Sequence, residues 1–272
     1  MMRALWSAAS GMIAQQTNLD SISNNIANVN TNGYKTEQAE FKSLLYQTLQ
    51  TRSTSANGDD KPISAQVGLG TRTASITTQF TQGALEEVDS LTAFAIEGDG
   101  FFQVSNAAGE KFYTRDGNFL FVQNDAGGLS LVNTDGYYVQ DNNGNNIEIP
   151  AGISSSQVYV ASTGQIGYYN NEGTITLLDS QMALYQFPNA SGLDKVGDNL
   201  YQPTASSGEA LNELTTPGLI VSSVRQGYLE MSNVSVADEM VDMIVAQRAY
   251  EMNSKAITTS DSMLELANNL KR

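Results

Sequence analysis

The residue types that most often perform catalysis or bind metals are scarce in this sequence. Its 272 residues include no Cys and no His, which excludes thiol nucleophiles, Cys/His zinc sites and His-based triads. Acidic side chains remain, and Glu86, Glu87 and Asp89 lie close together in the chain. Carboxylate clusters of this kind are usually solvated surface. We therefore predict no catalytic residue, no metal site and no cofactor.

Two short stretches resemble ligand-binding loops, and both fail on spacing. Residues 141–145 could begin a calcium loop, but glycine stands at the fourth position and Gly152 at the twelfth, where a bidentate Glu is needed. Residues 98–101 lack the third glycine of a dinucleotide-binding loop, and no helical pattern follows them. We interpret both as turns. The neighbouring Arg115 and Asp116 predict a buried ion pair of structural importance.

Charge and hydropathy exclude two classes of partner. The net charge is −15, whereas nucleic-acid phosphates require Lys and Arg side chains. Most of the excess lies in residues 36–229, which hold 21 acidic and 8 basic side chains. Mean hydropathy is −0.26, and no apolar run approaches the ~18 residues of a membrane span. We predict a protein that binds no nucleic acid and is not inserted in a membrane.

A long heptad pattern occupies residues 236–270. At ~1.5 Å per residue, the predicted helix is roughly 50 Å long. Its apolar stripe is narrow, so it requires another helix as its partner. The second heptad position is mostly polar and consists of Met240, Gln247, Ser254, Asp261 and Asn268.

The N-terminal residues 3–28 carry a second heptad pattern, with Ala8 and Gln15 among its positions. Two heptad helices at opposite ends of the chain predict, as the simplest arrangement, a coiled coil of the termini, although the partner of each helix could also come from a neighbouring copy. The residues that we predict to pack helices or subunits together are Leu5, Met12, Leu19, Ile22, Ile26, Val29, Val236, Met240, Met243, Tyr250, Ile257 and Leu264.

Short apolar runs alternate with glycine turns in the middle of the chain, as at residues 101–104 and 119–122. This pattern predicts an antiparallel sandwich or barrel-like domain, and residues 67–80 read as one long strand. The predicted fold class is α+β, with paired long terminal helices forming a coiled coil that carries an antiparallel β-rich middle domain. The predicted domains are a helical domain (1–33 with 232–272), an extended connector (34–82, with an inserted loop at 51–62) and a β-rich outer domain (83–231).

Several groups of residues together resemble the signatures of bacterial flagellar rod and hook proteins. They include the stretches EGDGFFQV at 97–104, YTRDGNF at 113–119, QGYLEMSNV at 226–234 and QRAYE at 247–251. The resemblance covers nearly the whole chain, and the distal rod branch of this family is the most similar. The N-terminal signature consists of Asn24, Asn25, Asn28, Thr31, Gly33, Tyr34 and Lys35.

The resemblance implies a structural subunit and not an enzyme. Members of the family leave the cell through the flagellar type III export apparatus without a cleaved signal. They self-assemble into a helical, tubular polymer, which in the distal rod is the drive shaft that transmits motor torque across the envelope to the hook. The implied neighbours are proximal rod proteins below, hook protein above and surrounding ring or bushing proteins. The implied location is the flagellum basal body, in the periplasm or wall zone of the cell envelope.

Two alternatives remain open from the sequence. A proximal rod or hook-type axial paralogue would share most of these motifs. A secreted β-domain enzyme that acts on a glycan through paired Asp or Glu residues is the rival from another class.

Overall fold

The computed structural model describes residues 2–50, 65–124, 127–170 and 174–270, so the predicted loop at 51–62 lies outside the described residues. The chain forms two compact units. The helical unit comprises Met1–Ala27, Glu37–Thr78 and Ser235–Arg272, and the β-rich unit comprises Asn28–Thr36 and Gln79–Val234.

Two long helices and two antiparallel strand pairs make up the helical unit. Strand β1 pairs with β4, and β2 pairs with β3. The bounds are α1 Met2–Ala27, β1 Glu37–Ser43, β2 Tyr46–Gln50, β3 Ala65–Gly68, β4 Thr71–Thr78 and α2 Val236–Asn269.

The single strand predicted for residues 67–80 is wrong, because the chain turns at Gly70. This glycine has φ +115°, and a Cβ placed on it would lie 2.1 Å from the Ser10 Oγ of α1. The turn therefore packs directly on the helix, and Thr71 N–H donates a 3.3 Å hydrogen bond to the same Ser10 hydroxyl. Only glycine combines this backbone geometry with so close an approach.

Antiparallel pairing dominates the β-rich unit. Among the residues that the structure describes, ten strands of this unit form one sheet, along which the order is β12-β10-β11-β7-β8-β18-β17, while β9, β16 and β19 pair beside this path. A second sheet has the order β13-β14-β15, and β20 pairs with β6 and β21 with β5. The bounds are β5 Leu85–Glu87, β6 Phe94–Glu97, β7 Phe101–Ser105, β8 Lys111–Thr114, β9 Phe119–Gln123, β10 Leu129–Asn133, β11 Tyr138–Val139, β12 Glu148–Ile149, β13 Val158–Val160, β14 Gln165–Tyr169, β15 Ile175–Gln181, β16 Leu184–Gln186, β17 Asp194–Gly197, β18 Leu200–Gln202, β19 Leu211–Asn212, β20 Ser223–Gln226 and β21 Tyr228–Glu230.

Two apolar clusters form the core of this unit. The larger one takes its side chains from the strands of both sheets and includes Phe94, Phe102, Phe119 and Leu131, each almost fully buried. The smaller one is built around Phe101, Tyr113, Leu193 and Tyr201. Aromatic rings in this cluster meet edge to face, as those of Phe101 and Tyr201 do with their centroids 6.0 Å apart. Aromatic quadrupoles favour this arrangement.

The predicted α+β architecture, with a helix at each end and an antiparallel β-rich middle, is confirmed. Supercoiling of the two helices stays a prediction. The structure groups the predicted connector differently, because 37–78 cluster with the helices and 28–36 cluster with the β-rich unit.

Candidate functional site

Within the helical unit, α1 and α2 lie against each other and run in opposite directions. Asn25 Nδ2 donates a 3.0 Å hydrogen bond to Glu239 Oε1. At the other contact, a Cβ placed on Gly11 would lie 2.9 Å from Asn253 Nδ2. The two contacts are 14 residues apart on each helix, and residue numbers rise along α1 where they fall along α2. The helices therefore stay antiparallel and in register over about 21 Å. Gly11, which costs about 1 kcal/mol within a helix, thus makes room for the Asn253 side chain.

The second heptad series predicted for α2 is corrected by one residue. Gln247, Asp261 and Asn268 of the predicted series are exposed, as is Met240, and only Ser254 is half-buried. The apolar positions of a heptad pattern are separated alternately by three and by four residues. The prediction placed the position after Met243 four residues later, at Gln247, whereas the structure buries the residue three positions later, Ala246. The observed second heptad series is buried or half-buried and consists of Glu239, Ala246, Asn253 and Ser260.

The predicted packing residues fall into three groups in the structure. Ile22 is buried, and seven others are half-buried on the helices: Leu5, Met12, Leu19, Ile26, Met243, Ile257 and Leu264. Val236, Met240 and Tyr250 are exposed. Val29 lies beyond the end of α1, in a turn of the β-rich unit. Their roles in packing subunits stay predictions.

An apolar stripe that the sequence analysis missed lies along the exposed side of α2. We define the α2 stripe as Val241, Ile244, Val245 and Met252, whose exposed fractions run from 57 to 68%. At 100° per residue these positions lie about 80–180° around α2 from Ala246 and Asn253. The exposed ion pair of Arg248 and Glu251 lies between Val245 and Met252. Burial of apolar side chains is worth roughly 25 cal/mol per Å², so four of them exposed along one helix favour a contact surface.

The N-terminal signature begins with residues that tie α1 to the start of β1. Asn25 is 1% exposed. Its Nδ2 donates to the Glu37 carbonyl at 2.9 Å, and its Oδ1 accepts from the Glu37 N–H at 2.9 Å. Asn24, by contrast, is exposed on the last turns of the helix. A buried amide that satisfies both backbone groups of one residue fixes the strand at that point.

The rest of the signature is a tight loop in the β-rich unit. Thr31 bonds to Asn28 through its N–H and its hydroxyl, both at 3.1 Å. Gly33 has φ +68°, and its N–H donates to the Glu230 carbonyl at 2.8 Å. Tyr34 and Lys35, which follow, are both buried.

We predict that Gly33→Ala destabilises the β-rich unit more than Gly136→Ala does. Both glycines have positive φ, but a Cβ on Gly33 would lie 2.7 Å from the Asp116 backbone nitrogen, whereas Gly136 faces open space. Each substitution costs about 1–2 kcal/mol in backbone strain, and only Gly33→Ala adds a collision with backbone atoms. If urea unfolding showed the same decrease in unfolding free energy for both variants, the predicted collision of a Gly33 side chain with the Asp116 backbone would be refuted.

Three charged side chains form a buried ion cluster, which we define as Lys35, Arg115 and Glu230. Lys35 Nζ lies 2.6 Å from Glu230 Oε1, and Arg115 NH1 lies 3.3 Å from Glu230 Oε2. Lys35 Nζ also donates to the Thr81 carbonyl at 2.8 Å, and the Gly83 N–H donates to Glu230 Oε1 at 2.9 Å. All three charged side chains are at most 1% exposed. The cluster joins the signature loop to β21 and to the turn after β8.

Burial lowers the pKa of Lys35, and the nearby Glu230 carboxylate opposes that shift. The predicted ion pair between Arg115 and Asp116 is wrong, since Arg115 pairs with Glu230. The Asp116 carboxylate instead accepts the Asn118 N–H at 2.9 Å and closes the turn.

We predict that Asp116 makes the β-rich unit less stable as the pH rises. Burial raises the pKa of its carboxyl from 3.8 to about 6. The fold therefore favours the protonated form, so this contribution to stability is complete below about pH 4 and is lost as the pH rises through 6. Asp116→Asn keeps the turn acceptor and should flatten the dependence of unfolding free energy on pH between 4 and 7. If urea unfolding of Asp116→Asn at several pH values gave the same dependence of unfolding free energy on pH as the parent, the prediction would be contradicted.

No group of three or more Asp or Glu side chains in the described residues could hold a metal ion. None of the described helices is long and apolar enough to cross a membrane.

The chain matches three flagellar families in order along its length. These are "Flagella basal body rod protein" at residues 5–35, "Flagellar hook protein FlgE/F/G D1 domain" at 95–168 and "Flagellar basal body rod FlgEFG protein C-terminal" at 225–270. The first and third matches contain the two helices that pair, and the second contains strands β7 to β13. The chain belongs to the flagellar basal-body rod protein family.

Relatives match over their whole length. The chain is 45% identical to "Flagellar basal-body rod protein FlgG" of Borreliella burgdorferi, with all of both chains covered. It is 40% identical to the protein of that name in Bacillus subtilis, again with full coverage of both. "Flagellar hook-basal body complex protein FlhP" of Bacillus subtilis is 29% identical over both full chains. The protein is thus a structural rod subunit of the flagellar basal body, and the enzyme alternative is rejected.

Proposed function

We propose that the chain is a distal rod subunit, and that its copies pack through their terminal helices into the tubular drive shaft that carries motor torque to the hook. The observation that carries this proposal is the α2 stripe. Its apolar side chains face away from α1 and stay exposed in the single subunit. A rod contains many copies of its subunit, and burying the same stripe in every copy would stabilise the assembly in proportion to the apolar area removed from water.

Charge supports the choice of the helices as the packing surface. The acidic excess lies in residues 36–229, and the two terminal segments together differ from neutrality by only two charges. Copies can therefore pack helix against helix without strong repulsion, while the acidic β-rich unit remains solvated.

The comparisons favour a rod subunit over its paralogues. Identity to the relatives named FlgG is 40% and 45%, against 29% to the hook-basal body complex protein, at equal coverage. We further propose, from the family resemblance, that the chain contacts proximal rod proteins below, hook protein above and ring or bushing proteins around it. Export would use the flagellar type III apparatus without a cleaved signal, and the location would be the cell envelope.

Deletion of the gene and its restoration test this proposal. Without the subunit, cells should lose both swimming and hooks, because the hook would have no shaft to grow on. Antibody labelling of purified hook–basal bodies from restored cells should mark the segment directly below the hook. Normal hooks and swimming after deletion, or labelling of the hook itself, would refute the distal rod assignment.

A further inference from the structure

Strand β15 forms one edge of the sheet β13-β14-β15, and it pairs with β14 and with no other described strand. Its seven residues make it the longest described strand of the β-rich unit. Ile175 and Leu177 are 46 and 52% exposed, and as alternate residues they lie on one face. An open edge that carries apolar side chains is a template for pairing with another chain.

The backbone groups that β15 leaves open belong to Ile175 and Leu177. Asn170 N–H donates to the Thr174 carbonyl at 2.9 Å, and Thr176 follows in the same register. Hydrogen-bonded pairs alternate along an antiparallel ladder, so Thr176 bonds to β14. The N–H and C=O groups of Ile175 and Leu177 therefore point away from β14.

The opposite edge of the same sheet is covered by a side chain. On β13, the Val160 N–H donates to Gln226 Oε1 at 3.0 Å, and Gln226 Nε2 donates to the Val158 carbonyl at 3.2 Å. The Gln226 amide thus takes the place of a neighbouring strand. No described side chain does this for β15, which also lacks the Lys and Pro residues that commonly protect an edge.

A groove of about 530 Å³ adjoins the C-terminal end of β15. The Asn142 N–H donates to the Gln181 carbonyl at 2.9 Å, so the turn at 141–146 ends the open edge at that point. The groove is lined by Asp141, Gly144, Asn145, Asn146, Glu148 and Ser180. Ser180 belongs to β15, and the open edge therefore runs directly into the groove.

Asp141 is a buried carboxylate with one oxygen left over for a ligand. It is 6% exposed. Its Oδ1 accepts the N–H groups of Asn143 and Asn145 at 2.9 and 2.8 Å, whereas no group in the described residues donates to its Oδ2. Most buried polar atoms in proteins have a hydrogen-bond partner, so the free Oδ2 favours a donor in the groove.

The charge of the groove favours a cationic donor over water. Lys111 lies nearby, since its Nζ is 3.6 Å from the position of a Cβ on Gly144. Within the described residues it forms no salt bridge with Asp141 or Glu148. Two carboxylates and one lysine leave the groove with a net negative charge, which attracts a further cation and gives no comparable preference to neutral water.

We propose that β15 and this groove bind an extended, basic segment of a partner protein. The segment pairs antiparallel with residues 175–179, and a Lys or Arg side chain at its N-terminal end enters the groove. At about 3.3 Å per residue, Ser180 lies roughly 10 Å beyond Leu177, within reach of the residues that flank a short strand. Backbone pairing provides affinity in such complexes, and the side chains provide specificity.

A second copy of this chain fits the surface less well than a basic partner does. Residues 36–229 hold 21 acidic and 8 basic side chains, and Asp179 is the one charged residue of β15. Two copies would therefore bring like charges together at the groove. The surface lies within the β-rich unit, so the proposal does not depend on assembly through the α2 stripe.

Amide hydrogen exchange, measured by nuclear magnetic resonance on the full-length subunit, tests the pairing residue by residue. The probe is the synthetic peptide KKTVTVT, and its control is EETVTVT, which has the same strand residues but the opposite charge. We expect saturating KKTVTVT to slow exchange of the Ile175 and Leu177 amides by about tenfold or more, whereas the Thr176 amide, already bonded to β14, changes little. Unchanged exchange at Ile175 and Leu177, or equal protection by EETVTVT, would overturn the proposal.

Neutralising the groove tests its part in the binding. The double variant Asp141→Asn, Glu148→Gln keeps an Oδ1 acceptor for the turn and removes both charges, so it should bind KKTVTVT at least about tenfold more weakly than the parent. Unchanged affinity would overturn the assignment of the groove to a basic side chain. Protection of Ile175 and Leu177 that rises with protein concentration in the absence of peptide would identify a second copy as the occupant and overturn the proposal of a basic partner.

Discussion

Replacing Glu230 with Gln is expected to lower the free energy of unfolding of the β-rich unit by about 3–5 kcal/mol. Glu230 is the carboxylate that Lys35 and Arg115 share, at 2.6 and 3.3 Å. Its removal leaves two buried cations without the carboxylate that contacts both of them, and the neutral amide supplies no negative charge. Urea unfolding followed by the near-ultraviolet circular dichroism of the tyrosines would measure the loss.

Glu97→Gln is the matched control. Glu97 lies 2.8 Å from Arg225, but both side chains are about half exposed. Exposed pairs contribute about 0–1 kcal/mol, so this variant should unfold almost as the parent does. Similar losses in the two variants would mean that burial does not set the importance of the ion cluster.

Replacing Ile244 with Asp is expected to abolish rod assembly while the subunit remains folded. Ile244 is 57% exposed in the single chain, so the charge is tolerated there. At a contact between copies it would become a buried, unpaired carboxylate, which costs several kcal/mol. Because each 1.4 kcal/mol is a factor of ten, association should weaken by 100-fold or more, as an order-of-magnitude estimate. Yields of hook–basal bodies and swimming would measure this loss.

The control at the same position is Ile244→Val, which keeps an apolar side chain and removes a single methylene. It should support assembly and swimming. Helical circular dichroism of both purified variants should match the parent. If the Asp variant assembles normally, the α2 stripe is not a contact between copies.

The sequence predicted the helices well because their pattern is long and periodic. It misplaced the second series on α2, since steps of three and four residues are equally compatible with one apolar stripe. The packing of Asn253 against Gly11 decides between them, and that contact joins residues at opposite ends of the chain. The heptad pattern did not predict the α2 stripe, because the apolar series of that pattern lies on the opposite face of the helix.

Turn signals located many strands of the β-rich unit, whereas the ion cluster was beyond sequence reasoning. Lys35 and Glu230 are 195 residues apart, and no local pattern pairs them. Arg115 was assigned to its neighbour Asp116 because adjacency is the only proximity that a sequence shows. All three charged residues of the cluster do lie in stretches that carry the family resemblance, which was the one available signal.

Chemical labelling of a single cysteine tests the central claim most directly, because the chain has no native cysteine. Val245→Cys places a thiol on the α2 stripe, where the side chain is 61% exposed in the single subunit. We predict that maleimide labels this thiol rapidly in the free subunit, poorly in intact hook–basal bodies and fully after the same particles are dissolved in denaturant. Equally rapid labelling in intact particles would contradict assembly through the terminal helices.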